Sequence, residues 1–247
     1  ETEPMTFDAS KRKFFKTTLG TTAAVSALSM FPPSIRRALA IEASSLTGTI
    51  QDVKHVVMLM LENRSFDGYF GTFPGVRGFG DRFPIPLANG KSVFHQTRSD
   101  GTEELPYHLD TTLGNAQRAG STPHSWPNCQ AAWDHGRMNK WPSAKQPLSM
   151  GYYENAEVPF HRALADAFTL CDHYHCAMHA GTIPNRLFFW TGTNGPSGDN
   201  VSVVMNEMND GADVGPSTEG WTWTTYADRL QKAGVSWKVY QLSLIHI

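Results

Sequence analysis

The run Val53-Lys54-His55-Val56-Val57-Met58-Leu59-Met60-Leu61 constrains this chain more than any other stretch. It is apolar and rich in valine, with the length of a strand buried on both faces of a parallel sheet. It ends on an acid and an amide, Glu62 and Asn63, followed by Arg64-Ser65-Phe66-Asp67-Gly68-Tyr69-Phe70-Gly71. In open sheets of parallel strands, ligands bind beyond the carboxyl ends of the strands. Carboxylate and amide oxygens there suit a hard divalent cation. Taken alone, the pair reads first as a polar turn, with Asn63 and Asp67 satisfying local backbone groups.

Further along, periodicity predicts alternating elements. Residues 159–170 have helical spacing, with Phe160, Leu164, Ala167 and Phe168 on one side. A second strand is expected to begin at residues 168–172. Residues 185–191 read as a helix start, and residues 223–233 as a helix closed by Gly234, directly followed by a strand at 236–240. Strand, helix and strand in alternation argue for a helix-flanked parallel sheet. The Gly- and Pro-punctuated section between the first strand and about residue 150 reads as loops and short helices. There is no internal repeat.

At 247 residues and 40% apolar content, the chain has room for one large α/β domain or two small ones. A net charge of −2 provides no electrostatic footprint for nucleic acid, which is therefore not an expected partner. Three cysteines, Cys129, Cys171 and Cys176, are too few for a disulfide framework. Cys171 and Cys176 fit either a bridge or, as the safer reading, buried free thiols. No run of about eighteen apolar residues occurs, the length that a membrane-spanning helix requires.

A second informative block is Ala177-Met178-His179-Ala180-Gly181-Thr182-Ile183-Pro184-Asn185-Arg186. Thr182 lies between a glycine and a proline in what is expected to be the first turn of a helix. A hydroxyl there feels the positive helix end and its unpaired N–H groups, a natural seat for phosphate. Locally the plain reading is an N-cap threonine. The third block is His124-Ser125-Trp126, whose histidine is equally an exposed loop residue or a ligand donor. His173, His175 and His179 invite a metal reading, but a core or outer position is preferred for the first two. Seven tryptophans are enough to include a cage for a quaternary ammonium, although most are expected to pack.

Residues 61–71, continued by Pro74-Gly75-Val76-Arg77-Gly78-Phe79-Gly80-Asp81, closely resemble the opening motif of the bacterial phospholipase C and acid phosphatase family of phosphoesterases. The block around Thr182, and residues 164–176 before it, resemble the phospholipase C branch. The resemblance covers nearly all of residues 49–241, with its motifs in the expected order. It implies an α/β fold, a three-layer α/β/α arrangement with a mostly parallel sheet, alkaline-phosphatase-like and incomplete at the C-terminus. It also implies Thr182 as nucleophile and Glu62, Asn63 and Thr182 as ligands of a divalent metal ion. Further aspartate ligands are expected beyond residue 241. By the same resemblance His124 lies against the phosphate, and Asn185 is a candidate for substrate binding. The implied substrate is a phospholipid or other phosphoester, with transient contact at a membrane surface. An acid phosphomonoesterase on the same scaffold, and a non-catalytic secreted binder of phospholipid headgroups, are the alternatives.

The two ends carry separate expectations. Ser10-Lys11-Arg12-Lys13-Phe14-Phe15-Lys16 resembles a twin-arginine box, with Lys11 replacing the first arginine. A weakly hydrophobic stretch and Ala38-Leu39-Ala40 follow, so residues 1–40 read as an export signal for the twin-arginine machinery. The expected location is periplasmic or extracellular. Residues 41–241 read as the N-terminal part of a phosphoesterase catalytic domain. Leu242-Ser243-Leu244-Ile245-His246-Ile247 reads as a non-native tail, because one codon reading of it resembles a library-preparation adapter. Without the downstream aspartates, the chain as given is expected to be inactive.

Overall fold

Short helices set most of the frame. The computed structural model describes residues 31–42, 46–61, 64–195, 202–206 and 221–240. Helix α1 (Pro33–Ala40) starts on a proline whose fixed φ suits the first helical position. It packs against α5 (Pro159–Ala167), and Ile35 on α1 is only 2% exposed. Between them in sequence, α2 (Phe66–Phe70) is capped by Ser65, whose hydroxyl accepts the Gly68 N–H at 3.0 Å. Its Tyr69 ring meets Tyr153 and His161 edge-on.

Arg162 of α5 fixes α2 from within. Its buried guanidinium donates to the Tyr69 and Tyr153 carbonyls at 3.3 and 2.8 Å and to the Thr72 hydroxyl at 2.8 Å. The α5 helix was expected from its spacing and forms, but its buried face carries Arg162, Ala165 and Ala167, whereas Phe160 is exposed. The polar carbonyls of the α2 region select a guanidinium where the apolar stripe suggested a phenyl ring.

The described residues form two small sheets. Strands β1 (Gln96–Thr97) and β2 (Glu103–Glu104) pair antiparallel, with Gln96 opposite Glu104. Strands β3 (Tyr107–His108) and β4 (Gly151–Tyr152) pair parallel, with Tyr107 opposite Gly151. Buried Gln96 is satisfied by the Val93 and Met138 carbonyls at 2.6 and 2.8 Å and by the Trp141 N–H at 3.0 Å. That residue ties the hairpin to α4 (Trp141–Lys145), which packs on α3 (Trp126–Trp133). The section to residue 150 is therefore loops and short elements, as its punctuation predicted.

The chain is a mixture of helices and small sheets, consistent with an α/β phosphoesterase, but the expected three-layer sandwich is not formed by the described residues. None of the three predicted strands forms. Residues 53–61 run without a strand partner, and Val57 and Leu59 are 90% and 82% exposed. Residues 168–172 are irregular, with a bend at Phe168 and a turn beginning at Asp172, and residues 235–240 are likewise in no strand and exposed. Apolar pattern creates a demand for burial, but a strand exists only where a neighbour takes up its N–H and C=O groups. Among the described residues no such neighbour lies alongside these segments. No described helix is long and apolar enough to cross a membrane.

Two further helices complete the described part. Helix α6 (Thr182–Thr191) starts three residues earlier than its periodicity suggested and ends at Gly192, whose φ of +77° makes a left-handed C-cap. Helix α7 (Tyr226–Lys232) has a capping box between Thr225 and Asp228, and Gly234 beyond it has φ +71°.

Candidate active site

Thr182 is the first residue of α6, after the N-cap Gly181. The turn leading into it is closed by Asn185, one helical turn on. The Asn185 side-chain oxygen accepts the Met178 N–H at 3.2 Å, and its NH2 donates to the Met178, Ala180 and Gly181 carbonyls at 3.2, 3.2 and 2.9 Å. Both ends of this carboxamide are thus engaged by backbone, and Asn185 shapes the turn beneath Thr182. Asn206 approaches the same turn from a distant loop, its oxygen accepting the Ile183 N–H at 3.0 Å.

Asn206 also lines a cavity of about 380 Å³ together with Thr122, His124, Ser125, Asn128 and Gln146. Asn206 thereby links the histidine block that lines the cavity to the first turn of α6, which it bonds at Ile183. Among the described residues no carboxylate lines the cavity. The Ser125 hydroxyl donates to the Asn128 side-chain oxygen. The oxygens of Asn128 and Asn206 are therefore both taken by donors, so each amide has its NH2 end for a ligand. The His124 Nδ1 lies 2.8 Å from the Thr122 carbonyl oxygen. A carbonyl can only accept, so Nδ1 carries a proton and Nε2 is the ring atom left to face a ligand, an acceptor in the neutral ring and a donor in the imidazolium.

Behind this loop lies Lys145, only 6% exposed. Its ammonium donates to the Pro123 carbonyl at 2.9 Å and to the Cys129 sulfur at 3.2 Å, and sits 5.6 Å from the Trp141 ring centre. The Cys129 thiol in turn donates to the His124 carbonyl at 3.6 Å. No carboxylate forms an ion pair with Lys145 among the described residues, so a buried positive charge backs the cavity.

Glu62 and Asn63 lie outside the described residues. Among the described residues no three His, Cys, Asp or Glu side chains converge as a metal site, so that part of the chain does not by itself assemble one. The histidines 173 and 175 are exposed, which corrects the expectation of a core position. His173 contacts the Arg77 guanidinium, whose Nε donates to Asp81 at 2.8 Å, and Asp172 accepts the Arg77 N–H at 2.9 Å. These polar partners hold the histidine at the surface. His179 is exposed too, with its ring against Trp133. Cys171 and Cys176 are free and exposed, where burial was expected.

Lys145 and Asn206 escaped the sequence reading. Neither belongs to a motif, and each acquires meaning only through a contact made across the fold.

Residues 53–246 match the Phosphoesterase family, and the chain belongs to it. It is 54% identical over 94% of its length to a non-hemolytic phospholipase C of Pseudomonas aeruginosa, covering 33% of that protein. It is 48% identical, again over 94% of its length, to a non-hemolytic phospholipase C of Burkholderia pseudomallei, covering 32% of it. Phospholipase C B of Mycobacterium tuberculosis is 35% identical over 95% of this chain, with 46% of the relative covered. The chain thus spans 32% to 46% of the length of these relatives.

Proposed function

We propose that the protein is an exported phospholipase C-like phosphoesterase that hydrolyses phosphodiesters such as phosphatidylcholine, with Thr182 as nucleophile. The observation that carries this reading is the cavity, lined by no carboxylate among the described residues, that is shared by His124 and by Asn206, which bonds the first turn of Thr182's helix. Its exposed chemistry is amide NH2, hydroxyl and an imidazole that donates from Nε2 when protonated, groups that suit phosphoryl oxygens. The names of the relatives supply the substrate class.

In this reading the Thr182 Oγ attacks phosphorus, its proton leaves, and the bond to the diacylglycerol oxygen breaks with protonation of that oxygen. A phosphothreonine diester results. Water then attacks the same phosphorus, returns the threonine hydroxyl and releases phosphocholine. With Nδ1 on the Thr122 carbonyl, His124 donates from Nε2 to a phosphoryl oxygen in its imidazolium form, and Asn185 positions Thr182 through the turn. Glu62, Asn63 and Thr182 are the proposed oxygen donors to a divalent ion, which when bound would lower the effective pKa of the hydroxyl.

In the full-length protein, Thr182→Ala should abolish the covalent phosphothreonine detected by mass spectrometry, and Thr182→Ser should retain part of the turnover. Glu62→Gln should weaken metal binding and turnover together. Normal turnover by Thr182→Ala would return Thr182 to a purely helix-starting role. Faster cleavage of phosphomonoesters than of choline diesters would replace the lipase reading by the acid-phosphatase one.

A further inference from the structure

We infer that Asn206 is a substrate-binding residue, donating from its side-chain NH2 to a non-bridging phosphoryl oxygen held in the cavity that it shares with His124. The inference rests on the phosphoester reading above and adds a donor that no motif contains.

The orientation of the amide follows from its partner. The Ile183 N–H can only donate, so the Asn206 oxygen must face it, at 3.0 Å, and the NH2 takes the other side. That oxygen is consequently unavailable to repel an anion. Asn206 lines the cavity with His124 and Asn128, so an anion there would meet an imidazole and two amides whose oxygens are already occupied.

The approach of Asn206 to the α6 turn also accounts for Gly181. Gly181 has φ −77°, an ordinary value for any residue, so backbone conformation does not require glycine there. Space does: a Cβ at 181 would lie 2.7 Å from the Asn206 side-chain oxygen and 2.9 Å from its nitrogen. The glycine before Thr182 makes room for this carboxamide. The Gly181-Thr182 pair and Asn206 therefore form one unit, assembled from two loops.

Two substitutions in the full-length protein separate binding from scaffolding. Asn206→Asp keeps an oxygen for the Ile183 N–H but removes the NH2 donor and adds negative charge. Gly181→Ala leaves Asn206 chemically intact and pushes its flexible end aside. Binding of inorganic phosphate by calorimetry, thermal melting, and kcat and KM for p-nitrophenyl phosphorylcholine are measured on each. Asn206→Asp should weaken phosphate binding and lower kcat/KM by roughly tenfold to a hundredfold, with little change in melting. Gly181→Ala should act in the same direction, more weakly. Wild-type phosphate affinity in Asn206→Asp would overturn the inference, as would the absence of phosphate binding by the unmutated protein. If the unmutated protein binds phosphate but cleaves no phosphodiester, and Asn206→Asp loses the binding, the donor role stands and the hydrolase reading falls.

Discussion

Lys145 carries its charge into the interior and satisfies it with a carbonyl and a thiol, without a carboxylate among the described residues. A buried ammonium is costly unless hydrogen-bonded, and its removal leaves those partners exposed to the same penalty. The Pro123 carbonyl precedes His124 directly, and Cys129 holds the His124 carbonyl from the other side. Lys145 is thus a positioning residue for the histidine. Lys145→Met should fill most of the space but leave the Pro123 oxygen unpartnered, a loss of about 1–3 kcal/mol in stability measured by urea denaturation. The same variant should raise KM for a phosphodiester more than it lowers kcat, and Lys145→Arg should not rescue it, because the planar guanidinium does not fit a compact three-donor site.

At the scale of elements, the junction between β3 and α5 is an ion pair. His108 Nε2 lies 3.0 Å from the buried carboxylate of Glu157, just ahead of α5. The His108 hydrogen bond holds the Glu157 carboxyl down at about 2, from an ordinary 4.5, and Glu157 raises His108 above its ordinary 6.5. The depressed carboxyl contributes its full stabilisation above pH 4.5 and loses it as pH falls toward 2. The raised imidazole contributes fully below pH 6.5 and loses its share as pH rises through its higher folded value. The pair should therefore stabilise most between pH 4.5 and 6.5. Melting temperature against pH for wild type and His108→Gln should diverge most in that window and converge at both extremes; a constant gap would show that the pair carries no charge. The helices were legible at this scale because their caps and apolar spacing are local, as with Pro159 for α5 and Gly234 for α7. The strands were not. Residues 53–61 show the right composition, but pairing is a relation between distant segments that composition does not encode. The site divides in the same way: Thr182 and His124 announce themselves in motifs, whereas Asn206 meets Ile183 across twenty-three residues.

For the molecule as a whole, the proposed export signal in the first forty residues would connect folding to destination. Export with removal of the segment ending at Ala40 predicts that the secreted full-length protein begins at Ile41 or within a few residues of it, as read by N-terminal sequencing. Retention of Lys11 and Arg12 in the mature species would count against removal. The helix α1 occupies the end of that segment, with Ile35 sealed against α5. Cutting after Ala40 would take a piece of tertiary structure along with the address label. Precursor and product would then be two differently surfaced proteins, and the peptidase would perform the last step of shaping the face of α5.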